Sequence, residues 1–379
     1  MNLRPLGYEP SELPSCSTPR RCVFSLEDLG RATKSAPGAA PDRRKPVSVG
    51  HVPAYRPSMS QYVIRPFEEA DLPAAAGLLA ERHQEHRKRH PLLPADYEDE
   101  QLALVEVTAA WESEGASGAV MVEHGELIGY MLAAPKPSPV WGPNIWVEAA
   151  GHAVREPEHI RDLYGAAAAQ WVDDGRTAHY VLVPDDAELI DAWFRLAFGS
   201  QHAHAVRPVP ESPLAPPPDL TVRRAVRADI PVLAELDLAL PRHQSLSPVF
   251  SSGEMPTLEE AVADWEESID DQDYATFVAS YNGEVIGSSV GCSLDKSSSH
   301  NGLAKPDNAG FLGFAAVLPA ARGLGAGRAL GEAVLQWSAD TGYTSVVTDW
   351  RVTNLLSSRA WLRLGFRQTF HRLHRLIGH

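Results

Sequence analysis

The chain has 379 residues, 44% of them hydrophobic, and a formal net charge of −15, a length and balance that suit two ordinary soluble domains. No apolar run approaches the roughly 18 residues of a membrane-spanning helix, and the acidic surplus argues against nucleic-acid binding, which needs a basic surface. Cys16, Cys22 and Cys292 are the only cysteines; they have neither metal-ligand spacing nor a disulfide framework, so a reducing, cytoplasmic setting without a metal is expected.

Residues 1–58 read differently from the rest. They are rich in Pro, Ser and Arg, with nine basic against five acidic residues. They lack the apolar core of a secretory signal. The opening NLRPLGYEPSELPSCSTPR resembles translation through the opposite strand of a transfer-RNA gene. The leader is therefore expected to be disordered or spurious, with Met59 as the native start.

The body repeats itself. IRPFEEADLP at 64–73 matches VRRAVRADIP at 222–231, and GELIG at 125–129 matches GEVIG at 283–287, both offset by 158. DAWFRLAF at 191–198 matches RAWLRLGF at 359–366. The first pair predicts a strand, then an acidic cap at Asp71 or Asp229, then a helix with Pro73 or Pro231 in its first turn. The second pair predicts a β-hairpin. Each copy is domain-sized. The expected layout is one domain at 59–206, a Pro-rich linker at 207–220 and a second domain at 221–379. Each copy runs strand, helix, polar helical stretch, hairpin, central strand, helix, strand, helix, final strand. That order predicts an α+β fold with a mixed sheet flanked by helices.

In the second copy the apolar run GFLGFAAV leads through Pro319 into Arg322-x-x-Gly325-x-Gly327 and then into helix-forming residues. This order places bare amides at the positive end of a helix, a site for phosphate or pyrophosphate. Arg328-Ala329 follows the loop instead of Lys-Ser/Thr, which argues against a nucleotide-triphosphatase loop. A dinucleotide fold would need an acidic ribose-binding residue that is not convincingly placed. Downstream stand Asp349, Asn354, Trp361 and Gly365-Phe366.

With these motifs the chain resembles the GNAT superfamily of acyl-CoA-dependent N-acetyltransferases in tandem form: two GNAT-like domains, each a mixed, largely antiparallel sheet between helices. The resemblance implies that strands 311–318 and 345–352 splay apart and that the pantetheine arm of acetyl-CoA lies near Val317. It implies that the pyrophosphate rests on Arg322, Gly323, Leu324, Gly325, Ala326, Gly327 and Arg328, with Asn354 holding the pantetheine or nearby backbone. A primary amine of a small molecule or peptide would then attack the thioester directly. Asp349 stands where many members carry a glutamate base. Trp361 stands at the usual tyrosine acid position, and an indole N–H does not donate a proton at useful pH. A non-catalytic acyl-CoA sensor is therefore the alternative.

Trp361 also reads as a packed aromatic, since Trp193 matches it in the first copy. Gly365 reads as a helix C-cap. The runs at 82–90 and 259–273 read as solvated helix surface. His371, His374 and His379, in a strand-like context without carboxylates, do not read as a metal site. The first copy has VREPEHI at 154–160 in place of the glycine loop, with Glu156 and Glu158 set to repel a pyrophosphate. Asp186 replaces Asn354 and Ala197 replaces Gly365. The first copy is thus expected to keep the fold without the cofactor and to form one wall of the substrate cleft. The chain would be a monomer with an internal pseudo-dimer.

Overall fold

The computed structural model describes residues 62–212, 219–251 and 255–378; the leader and Met59 lie outside them. The first repeat runs β1 (Tyr62–Pro66), α1 (Leu72–Arg89), α2 (Glu100–Glu112), β2 (Ser117–Glu123), β3 (Glu126–Ala133), β4 (Asn144–Val147), β5 (His152–Val154), α3 (His159–Asp173), β6 (Ala178–Pro184), α4 (Ala187–Phe194) and β7 (Gly199–Pro208). The second runs β8 (Leu220–Arg224), α5 (Ile230–Gln244), α6 (Leu258–Ser268), β9 (Tyr274–Tyr281), β10 (Glu284–Ser293), β11 (Ala309–Val317), α7 (Ala326–Thr341), β12 (Ser345–Arg351), α8 (Leu355–Arg363) and β13 (Arg367–Leu376).

The sequence repeat is a repeat of physical devices. Arg65 clasps Asp71 at 2.6 and 2.7 Å, and Arg223 clasps Asp229 at 2.7 and 2.8 Å. Each aspartate also accepts from a backbone N–H three residues back, Glu68 or Val226, at 2.9 Å. The expected acidic cap therefore points away from its helix: the carboxylate closes the preceding 3-10 turn and makes no side-chain hydrogen bond into α1 or α5. The hairpins turn through His124-Gly125 and Asn282-Gly283, both pairs at positive φ, the geometry that suits strand twist. Gly129 and Gly287 let a helix approach the sheet. A Cβ at either would stand 3.0 Å from Leu163 of α3 or Leu330 of α7.

Two helical layers cover the sheet of each repeat. In the first, α1 and α2 pack against Val120, Tyr130 and Leu132 on one face, while α3 and α4 pack against Ala119, Met121 and Met131 on the other. In the second, α5 and α6 pack against Val278, Val290 and Phe311, and α7 lies on the opposite face against Ala279, Ile286 and Leu312.

The two repeats exchange their last strands. A nine-stranded sheet runs β4-β6-β13-β7-β12-β11-β10-β9-β8. Strand β7 of the first repeat pairs with the whole of β12, Asp349 opposite His204. Strand β13 of the second repeat pairs with β6, Phe370 opposite Pro184, and β7 and β13 pair with each other. Strands β1, β2, β3 and β5 form a separate four-stranded sheet.

The basic run at 82–90 differs from its reading as solvated surface. His83, His86 and His90 form an inward stripe, and His86 packs against Phe370 of β13 with centroids 4.9 Å apart. Arg82 is half-buried and donates to the carbonyls of Ala149 and His152. Helical spacing, not composition, decides which of these residues face in. The acidic run keeps its expected form: Ala261, Trp265 and Ser268 of α6 face the core and the carboxylates face out.

Buried imidazoles make stability depend on pH. Burial lowers the pKa of His83 to about 4, of His86 to about 2, and of His152 and His300 to about 3, against an ordinary 6.5. Below pH 6.5 the unfolded chain binds protons that the native state refuses, so stability is full above 6.5 and falls as pH drops toward these values. The melting temperature is expected to fall continuously from pH 6.5 to pH 4.5; a flat profile over that window would contradict the burial.

Candidate functional site

The site begins where two parallel strands part. Strands β11 and β12 pair only at Ala309 with Ser345, Gly310 with Val346 and Phe311 with Val347. Beyond that, β11 stays with β10 and β12 stays with β7. Gly313 is an extra residue in β11, since Leu312 pairs with Gly291 and Phe314 with Val290. Such a bulge bends the strand away from its neighbour. The Thr348 hydroxyl donates to the Leu312 carbonyl at 2.9 Å and closes the base of the fork.

The glycine loop lies at the mouth of the fork. After a 3-10 turn at Pro319–Ala321, Arg322 is extended, Gly323 and Gly325 take φ of 91° and 87°, and α7 begins at Ala326. A side chain at such φ costs about 1–2 kcal/mol, so the turn asks for glycine. A Cβ at Gly323 would meet no atom within 4 Å, so the backbone there faces open space. Val317, Arg322, Gly323, Gly325, Ala326, Gly327, Arg328 and Asn354 all line one cleft of about 460 Å³. Leu324 does not line it and is 41% exposed. With Arg363 of α8, the cleft carries three arginines on a chain of net charge −15. Bare amides, a helix N-terminus and these cations together fit a pyrophosphate.

A smaller cavity continues inward, sharing Leu240, Ala315, Asn354, Ser357 and Trp361 with the cleft, and ends on Asp349, Gly313 and His202. The Asp349 side chain is 9% exposed. Burial pushes its pKa up to about 7, opposed by the Arg372 guanidinium, so the carboxyl exchanges a proton near neutrality. Two imidazoles flank it: His202 Nε2 at 4.0 Å from one oxygen and His300 Nε2 at 3.9 Å from the other. Both are buried and held neutral, His300 with its pKa near 3 and His202 well below its ordinary value.

Asn354 caps α8, its side-chain oxygen accepting from Ser357 N at 3.4 Å, and it lines both cavities. Turn-fixing and contact with a ligand are thus open to the same side chain. His243 at the end of α5 lines the cleft beside it; burial, and then Arg322, lower the His243 pKa, while a hydrogen bond with Asn354 raises it. Trp361 is buried against Phe366 with one side on both cavities. Gly365 follows the end of α8 at φ 87°.

Sequence reasoning missed His202, His204, His243 and His300. The first two alternate along HAHAV, a same-face pair on a strand, but their neighbour Asp349 belongs to the other repeat. His371 likewise meets a carboxylate that the local sequence does not hold: it bonds Asp185 of the first repeat at 2.7 Å.

The first repeat is built differently at the matching place. Its counterpart of β11 is broken into β4, which pairs with β6, and β5, which pairs with β3. Helix α3 follows Glu158, whose φ is −62°, without a glycine turn. Glu158 is held by Arg161 at 2.5 Å and Arg195 at 3.4 Å. Asp186 caps α4 as Asn354 caps α8, and Ala197 keeps the left-handed turn of Gly365 at φ 62°.

A forked sheet ending on a glycine-turned helix forms a cleft whose bare amides suit a phosphate-bearing ligand. Residues 242–366 match the family model described as Acetyltransferase (GNAT) family. The match lies within the second repeat, from the end of α5 to Phe366. Among solved structures, a GCN5-related N-acetyltransferase from Sphaerobacter thermophilus is similar at 17% identity, covering 84% of this chain and 96% of that one, TM-score 0.50. A tandem GNAT protein from the clavulanic acid biosynthesis pathway matches at 13% identity over 84% of this chain and 99% of its own, TM-score 0.42. The yncA protein from Salmonella typhimurium, solved with its cofactor acetyl-CoA, matches at 18% identity over 42% of this chain and 95% of its own, TM-score 0.32. No curated protein matches the sequence. No helix among the described residues is long and apolar enough to cross a membrane.

Gly325→Glu would place a carboxylate at the left-handed turn facing the cleft. Coenzyme A affinity measured by calorimetry is expected to fall at least about 100-fold, with melting lowered only by the cost of the strained turn. Unchanged affinity would remove the loop from the binding site.

Proposed function

We propose that the second repeat transfers an acetyl group from acetyl-CoA to a primary amine of a small molecule or peptide, by direct attack of the amine on the thioester. The observation that carries this reading is the fork between β11 and β12, which opens on the glycine loop at one end and on buried Asp349 at the other. The amides of 322–327 with Arg322 and Arg328 bind the pyrophosphate. The free edge of β11 up to Val317 and the side chain of Asn354 hold the pantetheine arm. This puts the thioester in the inner cavity, beside the bulge at Gly313 and within reach of Asp349.

A carboxylate with an ordinary pKa is too weak a base for an amine. Raised to about 7 by burial, Asp349 accepts a proton effectively at neutral pH. Trp361 packs against the reacting end and orients it, and solvent or the Ser357 hydroxyl serves the departing thiolate. Residues 59–206 form a domain that keeps the fold without the donor, joined through 207–220 to the active domain at 221–379. The chain works as a cytoplasmic monomer whose halves mimic a dimer.

The absence of a tyrosine at position 361 favours one competing reading, an acyl-CoA sensor without turnover. Thiol release from acetyl-CoA across a panel of amines separates the two. Turnover is expected, with kcat/KM rising as pH increases through about 7, because only the ionised carboxylate accepts the proton. Asp349→Asn is expected to lower kcat about 100-fold or more with KM for acetyl-CoA within about twofold of wild type. Binding without turnover on any amine would favour the sensor, and an unaltered pH profile in the variant would remove Asp349 as base.

A further inference from the structure

The seam between the repeats holds a cluster of buried imidazoles that packing does not explain. His202 and His204 come from β7 of the first repeat, and His300 comes from the loop between β10 and β11 of the second. All three are almost fully buried. The His204 and His300 rings lie 4.5 Å apart. His202 Nδ1, His204 Nδ1 and His300 Nε2 have no hydrogen-bond partner among the described residues. Unpartnered polar nitrogens are costly inside a protein, and apolar side chains of similar size would fill the same space.

Their placement is specific to one group. The two Nε2 atoms that point at Asp349 lie 3.9 and 4.0 Å from its two different oxygens. That is beyond a direct hydrogen bond but within reach of a small shift or a single bridging water. Ser297 Oγ shares a hydrogen bond with His300 Nδ1 at 2.9 Å. A serine hydroxyl donating there leaves the proton on Nε2, facing the carboxylate. The remaining charged and titratable groups around the cluster are Arg372 on β13 and Arg351 on β12, with His371 and Lys136 behind His204.

Building on the acetyl-transfer reading, we propose that His202 and His300 are positioning residues for Asp349, one from each repeat, whose Nε2–H groups steady the ionised carboxylate in the orientation that receives the amine proton. The first repeat is then part of the acid–base apparatus as well as a wall of the cleft. In the step they support, the amine nitrogen forms its bond to the acetyl carbon while its proton passes to an Asp349 oxygen. The C–S bond pair leaves on sulfur, which takes a proton from solvent. Asp349 returns its proton to water before the next cycle. Removing an N–H that faces the ionised form disfavours that form, so the carboxyl should hold its proton to higher pH.

The test reads the carboxyl itself. The infrared carbonyl band of protonated Asp349, assigned by its loss in Asp349→Asn, is titrated in the full chain saturated with coenzyme A. His202→Asn and His300→Asn carry an amide too short to reach the Nε2 position, whereas His202→Gln and His300→Gln keep an N–H near it. The Asn variants are expected to move the midpoint up by at least about half a pH unit, and the Gln variants to stay near wild type. With an amine that is turned over, the Asn variants should lose about tenfold in kcat at pH 7, recover in part at pH 8.5, and keep KM for acetyl-CoA. An unshifted midpoint in both Asn variants would overturn the proposal. The titration needs no turnover, so a chain that binds coenzyme A but acetylates nothing would sink the transfer reading while the Asp349–imidazole coupling is still decided.

Discussion

The exchange of final strands is the constraint from which the rest of the molecule follows. Strand β7 leaves the first repeat to lie between β12 and β13, and β13 leaves the second to lie between β6 and β7. Each repeat thereby covers a sheet edge that the other would leave open, and an open edge invites pairing with foreign strands. The join is reinforced off the ladder, where Arg207 at the end of β7 donates to the carbonyl of Leu364 after α8. Neither half completes its sheet alone. The pairing also fixes chemistry, because it sets His202 opposite Arg351 and His204 opposite Asp349.

Given that frame, the difference between the halves lies in how each treats one strand. In the second repeat β11 holds β12 for three residue pairs and then parts from it, leaving a tapered opening floored by Thr348 and Gly313. In the first repeat the matching strand breaks altogether, and the position facing a would-be phosphate carries Glu158 with two arginines of its own chain. The same fold thus appears twice, with a glycine turn before the helix in one copy and an ion-paired glutamate there in the other.

Much of this was legible in the sequence because it rests on local geometry. The glycine turn at 323–327, the hairpins at 125 and 283, the helix end at Gly365 and the order of elements all follow from φ requirements and periodicity. Seven of the eight loop and strand residues that the resemblance to GNAT enzymes implied, with Asn354, line one cleft; Leu324 does not. What the sequence hid is non-local. HAHAV says only that two histidines share a face, and nothing nearby says that Asp349 lies across from them in another repeat. The stripe of histidines in α1 was likewise masked by its basic composition, and the inward aim of Asp71 and Asp229 by their resemblance to helix caps.

The central claim is that a single cleft, in the second repeat alone, holds the acyl donor. Calorimetric titration of the full chain with coenzyme A tests it most directly. The account predicts one binding site per chain. Two sites would mean that the first repeat retains a cofactor cleft, and no binding at all would mean that the fork and its glycine loop serve another ligand; either result would contradict it.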